Sequence, residues 1–249
     1  MIIAAIRMGG SSIGFSEHSY VPFDEEYSMS LEDTPSYINE VNTLKIKYKD
    51  KIDVFLGLEL DYFTDDTPEG LEYIIGTAHH VMKEGQHVTV DGSAEHLARM
   101  NEKHFGGDYY AMAEAYYDTM AGVIDRTGAD IVGHFDLITK SNVNNSMFDE
   151  LHPRYIKAAL NSMEQILSKC NLFEVNTGAM FRRGALTPYP SVFLLKELQK
   201  RGGEVILSSD SHTAASLFYK FDEIIDLIKS CGFTYIKRFT KDGFINEKI

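Results

Sequence analysis

A chain of 249 residues is long enough to bury one substantial core and matches the ~250 residues usual for a (β/α) barrel. Hydrophobic residues make up 44% and charged residues 24%, no apolar run approaches the ~20 residues of a membrane span, and no secretory signal is legible, so a cytoplasmic enzyme is expected rather than a membrane protein. The net charge of −13 argues against a nonspecific nucleic-acid surface, which needs clustered Lys and Arg.

Residues 1–8 have helical character and end at Gly9-Gly10, with no capping residue and no strand ahead of them. Residues 12–16 alternate like a strand and deliver Glu17 and His18 at its end, although the same stretch also reads as an exposed loop. Thr34 before Pro35 starts a helix over 33–49, with Ile38, Val41, Leu44 and Tyr48 at helical spacing. A strand over 52–58 ends on Glu59, with Asp61 two residues on. Another, over 72–78, ends in His79-His80; adjacent side chains point opposite ways, and His79 is the one expected to face a site. Residues 82–92 read as a long loop or hairpin of the kind that covers an active site. His87 within it, and His96 and His104 in the charged helix that follows, are expected to be exposed.

One long amphipathic helix is predicted over 109–126, packing Tyr110, Ala113, Tyr117, Met120, Ala121 and Ile124 and stopping at Gly128. A short strand over 129–133 ends on His134, with Asp136 two residues later. Pro153 opens a helix to Lys169, and a strand over 171–176 leads into a Gly-bounded loop holding Arg182 and Arg183. A guanidinium fork matches phosphate oxygens, so these arginines either capture an anion or belong to a solvated basic loop. Residues 190–201 are helical, Gly202-Gly203 turns the chain, and a strand over 204–207 runs into Asp210 and His212. Either Asp210 caps a following helix, or the pair binds a cation that justifies polar groups at a core edge. A helix over 219–230 and a closing edge strand over 234–239 follow. Cys170 and Cys231 have no CxxC spacing and read as reduced packing residues of an intracellular chain.

In a parallel barrel the strand C-termini share one face, so residues scattered in sequence meet there. His18, Glu59, His79, His134, Asp210 and His212 each follow a predicted strand. Mixed imidazole and carboxylate ligands suit Zn, Mn or Fe, and a set this large can hold more than one ion, with Glu59 as a bridge. Clustered metals point to hydrolysis, since they lower the pKa of bound water and hold phosphoryl oxygens, with the arginine loop on the phosphate's outer oxygens. Gly9 to Gly14 precede a strand rather than a helix, and Ser208-Ser209-Asp210 lacks nucleophile-elbow spacing. Nucleotide-cradling and serine-hydrolase readings therefore drop out.

At these residues the sequence resembles the PHP (polymerase and histidinol phosphatase) family, specifically its histidinol-phosphate phosphatases. The matching pieces are Phe15-Ser16-Glu17-His18, Gly57-Leu58-Glu59, Gly76-Thr77-Ala78-His79, Gly133-His134-Phe135-Asp136, Glu174-Val175-Asn176-Thr177 and Ser209-Asp210-Ser211-His212. The resemblance implies an α/β fold, a distorted (β/α)7 barrel spanning residues 1–249 as one domain, with divalent metal ions in up to three sites. It also implies a small phosphorylated substrate: hydrolysis of L-histidinol phosphate to L-histidinol and phosphate in histidine biosynthesis, by metal-activated hydroxide attacking phosphorus. Carried over by motif, Glu59 would bridge two metals and Asp210 would bind the first, His79 and His134 would complete the second, and His18 and His212 would serve the third. Arg182 or Arg183 would grip the phosphate, with Lys140 a further candidate. Asp136, counted with Asp210 and His212 among the catalytic candidates, would support its neighbours rather than protonate the leaving alkoxide.

The family opens with a strand carrying His-x-His, and this chain has no His before His18. About twenty residues, one strand and its loop, are therefore expected ahead of Met1, by truncation rather than natural variation. Their absence would leave a gap in the barrel wall with two exposed strand edges. Two other readings stay open: a PHP phosphoesterase for another small ester, and a non-catalytic barrel that binds metal or phosphate.

Overall fold

The interior of the fold is set by a period of two. Along Asp53–Asp61 (β2) the even residues Val54, Leu56, Leu58 and Leu60 are buried beneath the helical layer, while Phe55, Gly57, Glu59 and Asp61 face inward. Successive strand side chains point to opposite faces, so one strand presents an apolar floor at its start and carboxylates at its end. Leu56, Leu58 and Leu60, each no more than 1% exposed, contribute about 1.5–3 kcal/mol apiece by leaving water.

The computed structural model describes residues 1–24 and 27–249. The chain opens with a short helix, Ile2–Arg7 (α1), then Ser12–His18 (β1), Thr34–Tyr48 (α2) and β2. Tyr73–Thr77 (β3) leads into a hairpin, His80–Lys83 (β4) with Gln86–Thr89 (β5), and then Ala94–Phe105 (α3), Tyr109–Ala121 (α4) and Val123–Thr127 (α5). Ile131–Val132 (β6), Pro153–Leu167 (α6), Leu172–Asn176 (β7), Gly178–Arg183 (α7), Val192–Lys200 (α8) and Glu204–Ser208 (β8) follow. Phe221–Ser230 (α9), Tyr235–Thr240 (β9) and Gly243–Lys248 (β10) end the chain.

Among the described residues the main sheet has the order β1-β2-β3-β6-β7-β8-β9-β10, parallel throughout except for the antiparallel β9 and β10 pair. It curls around the inward side chains but does not close, because β1 bonds only to β2 and β10 only to β9. A cavity of about 710 Å³ is lined by residues of β1 and β8. Tyr73 fills part of the interior: its hydroxyl donates to the Phe15 carbonyl at 3.0 Å, and its ring lies over Gly57, where a Cβ would stand 2.3 Å from Cζ. No helix among the described residues is long and apolar enough to cross a membrane.

Several sequence expectations need correction. The helix predicted over 109–126 is two helices broken at Gly122, where the ring of Tyr62 packs within 3.0 Å of a Cβ position. The arginine loop is a helical turn, α7, ended by Gly184 at φ 67°. The strand expected at the edge is β9, which has a further partner in β10, a segment too polar to announce itself. Asp210 caps no helix, since the chain continues through a bend into the 3-10 turn Ala214–Ser216. His96 and His104 are half-buried rather than exposed, whereas His87 is exposed as expected.

Candidate metal centre and phosphate site

Alternation on each strand builds the site. His18 ends β1 directly opposite Glu59 on β2, and Asp61 ends β2 opposite Thr77, two residues before His79. His134 follows β6, Glu174 and Asn176 face inward from β7, and Asp210 stands two residues beyond β8. These positions share the carboxyl end of the sheet; His18, Glu59, Asp61, His79, His134 and Asp210 line a cavity of about 420 Å³, which meets the larger one at His18, Glu59, Asp210 and His212.

Three imidazoles converge on one oxygen. From Glu59 Oε1, His134 Nε2 lies at 3.0 Å, His79 Nε2 at 3.5 Å and His18 Nδ1 at 3.9 Å. Burial alone would push the Glu59 carboxyl up, but His18, His134 and His79 together hold it well below the usual carboxylate range. Asp61 orients His79: its Oδ2 lies 3.0 Å from Nδ1 and also accepts the His79 backbone N–H at 2.8 Å, which turns Nε2 toward Glu59. Burial opposes a charge on His79, yet the Asp61 bond and the Glu59 charge raise it to about 9. Asp61 itself is lowered by His79 against the opposing effect of burial. The backbone N–H of His134 donates to Glu174 Oε2 at 2.9 Å, and its Nδ1 is buried without a partner among the described residues.

Arg182 reaches across from α7 to Asp210, donating from Nη2 to Oδ2 at 2.7 Å and from Nη1 to the backbone carbonyl at 2.5 Å. Asn176 Nδ2 donates to the same Oδ2 at 3.2 Å and to Glu174 at 3.0 Å, while its Oδ1 accepts the Gly178 N–H at 2.8 Å. Burial would raise Asp210, but His212, 3.3 Å away, and Arg182 bring it down to about 2. Asp210 adopts φ 42°, a left-handed conformation uncommon for a residue with a side chain.

The donor set fits divalent ions. Ligand atoms of His18, Glu59 and His79 all lie within 4.8 Å of one another, and two imidazoles with a carboxylate suit Zn, Mn or Fe. His134 and Asp210 border this group, and His212 stands at the mouth with 57% of its side chain exposed. Arg182 and Arg183 line the same cavity. Lys140 lines it too, in close contact with Asp91. Asp136 does not reach the cavity: it is fully buried, and its Oδ2 accepts the Ser191 N–H at 2.8 Å behind Tyr189. Of the adjacent pair, His79 faces the ligand group as expected, but His80 lines the same cavity farther out because the chain leaves the sheet there to start β4. Asp61 and Asn176 were noted in the sequence without a role, and Asp91 and Tyr189 were not singled out. The first two repeat the inward alternation of their strands, whereas Asp91 and Tyr189 lie in loops with no such signal.

Known proteins share the sequence and fold of this chain. The PHP domain model matches residues 1–178. A relative from Schizosaccharomyces pombe, whose name places it among the histidinol-phosphatases, is 30% identical over 262 residues, covering 94% of this chain and 81% of that one. The histidinol-phosphatase of Lactococcus lactis is 26% identical over 258 residues, covering 96% and 87%. A Lactococcus lactis histidinol phosphate phosphatase structure, complexed with Zn, L-histidinol and phosphate, has the same fold, with a TM-score of 0.66 at 21% identity over 98% of this chain and 90% of that one.

Proposed function

The chain belongs to the PHP domain family, and from that premise we propose that it hydrolyses L-histidinol phosphate to L-histidinol and inorganic phosphate. The observation that carries this reading is the convergence of His18, His79 and His134 on one buried oxygen of Glu59, in a cavity also lined by Arg182 and Arg183. We read residues 1–249 as one catalytic domain.

His18, Glu59, His79, His134, Asp210 and His212 would hold the ions, up to three Zn, Mn or Fe, with Glu59 as the bridge. Divalent ions held there lower the pKa of a bound water and neutralise charge on phosphoryl oxygens. The rest is supplied by the chain. Asp61 takes the Nδ1 side of His79 and leaves Nε2 for the site. Asn176 and Glu174 hold Asp210 and the His134 backbone in register. Arg182 and Arg183 bind the outer phosphate oxygens, where a planar fork is worth more than a point charge. Lys140, fixed by Asp91, adds positive charge on the cavity wall. Asp136 keeps Ser191, and with it Tyr189, against the site.

Phosphate release from L-histidinol phosphate by the chain loaded with Zn or Mn tests the reading. Turnover that falls by about a hundredfold or more in Asp210→Asn supports it. No turnover at full metal occupancy overturns it in favour of a barrel that binds metal or phosphate without catalysis.

A further inference from the structure

The cavity wall carries two chemically different sets of groups: the ligand group with Arg182 and Arg183, and Asp24 with His80. Asp24 keeps 19% of its side chain open, and among the described residues no Lys or Arg pairs with it. Its nearest ionisable partner is His80, whose Nε2 is 3.7 Å from Oδ2, beyond hydrogen-bond reach. The Tyr27 N–H donates to the carboxylate in a long bond of 3.4 Å. The other outer carboxylate, Asp91, differs because Lys140 already neutralises it.

Asp24 is also held in place. Its N–H donates to the Val21 carbonyl at 3.0 Å, and its own carbonyl accepts the Ser28 N–H at 3.2 Å. The neighbouring Phe23 stacks on His87 with ring centres 3.6 Å apart and meets Phe63 edge-on at 5.8 Å, which pins this turn to the hairpin of β4 and β5. A fixed, largely buried carboxylate that among the described residues has no Lys or Arg partner is costly unless a ligand supplies the cation.

We propose that Asp24 binds a cationic nitrogen of the substrate, so that the cavity selects phosphate esters carrying a protonated amine or imidazolium over neutral ones. This deepens the histidinol-phosphatase reading and rests on it. One cavity wall thus offers a carboxylate for a cation and arginines for a phosphate, a pairing that a neutral ester cannot use.

The metal-loaded wild type and Asp24→Asn are compared on L-histidinol phosphate and on p-nitrophenyl phosphate, which has no cation. The expected result is a KM for L-histidinol phosphate raised about 10- to 100-fold, with kcat within about threefold and p-nitrophenyl phosphate kinetics unchanged. Equal losses on both esters, or no loss on either, overturn the proposal. A wild type that hydrolyses p-nitrophenyl phosphate but not L-histidinol phosphate overturns the functional reading alone. In that case inhibition by O-phosphoethanolamine relative to glycerol phosphate decides on Asp24: a cationic preference lost in Asp24→Asn supports it, and an unchanged ratio overturns it.

Discussion

Arg182 and Asp210 meet only because Gly178 has no side chain: a Cβ on Gly178 would stand 2.8 Å from Arg182 Nη2 and 2.9 Å from Asp210 Oδ2. The first turn of α7 thus leaves room for an ion pair that links the arginines to the strand-end carboxylate. Gly178→Ala should displace the guanidinium, because the end of a long side chain yields before backbone does. We expect KM to rise about tenfold while thermal stability changes by less than about 1 kcal/mol. Steady-state kinetics with a melting curve checks this, and unaltered KM would dissociate Arg182 from phosphate binding.

Asp61 acts on the site through His79. Asp61→Asn keeps the shape but removes the charge that, with Glu59, raises His79 to about 9 against burial. Replacing such an outer partner of a metal ligand typically weakens metal binding about 10- to 100-fold. Titration against a competing chelator measures it directly. Affinity equal to wild type would show that His79 keeps its orientation without Asp61.

Asp136 makes stability depend on pH in an unusual direction. Burial raises its carboxyl to about 7, partly offset by the Ser191 N–H, whereas an unfolded aspartate titrates near ~3.9. Between those values the folded chain keeps a proton that the unfolded chain has released. This group's contribution is therefore full below about pH 4, falls as pH rises toward 7 and is flat above it. The whole shift corresponds to at most about 4 kcal/mol. Asp136→Asn, neutral at every pH, should gain stability over wild type between pH 5 and pH 8, and a pH-independent difference between their melting temperatures would rule this out.

Gly57 carries the interior packing of Tyr73. A methyl at Gly57 would lie 2.3 Å from Tyr73 Cζ, on a ring that is buried and bonded to the Phe15 carbonyl. Overpacking of this kind costs about 1–3 kcal/mol. Denaturant unfolding of Gly57→Ala reads the loss, and Gly57→Ala combined with Tyr73→Phe should not restore it, since the clash is with the ring rather than the hydroxyl.

The convergence of the candidate ligands was legible because they lie at or just beyond strand ends. Each of His18, Glu59, His79, His134 and Asp210 follows an apolar run whose length and alternation fix where it must emerge, and parallel strands bring such ends together. Features set by contacts between distant segments were not legible. Nothing around Gly122 announces that Tyr62 packs there and splits the helix, and nothing near Asp91 announces Lys140, 49 residues away. The polar segment 243–248 becomes a strand because β9 offers it a partner, not because its own residues demand one.

Asp210 holds its left-handed backbone at a cost of about 1–2 kcal/mol, a conformation that glycine adopts freely. Backbone and side chain therefore pull this position in opposite directions. Glycine would relax the turn only by stranding Arg182 and Asn176 without the oxygen they share, so the carboxylate is anchored here by its neighbours against the preference of its own main chain.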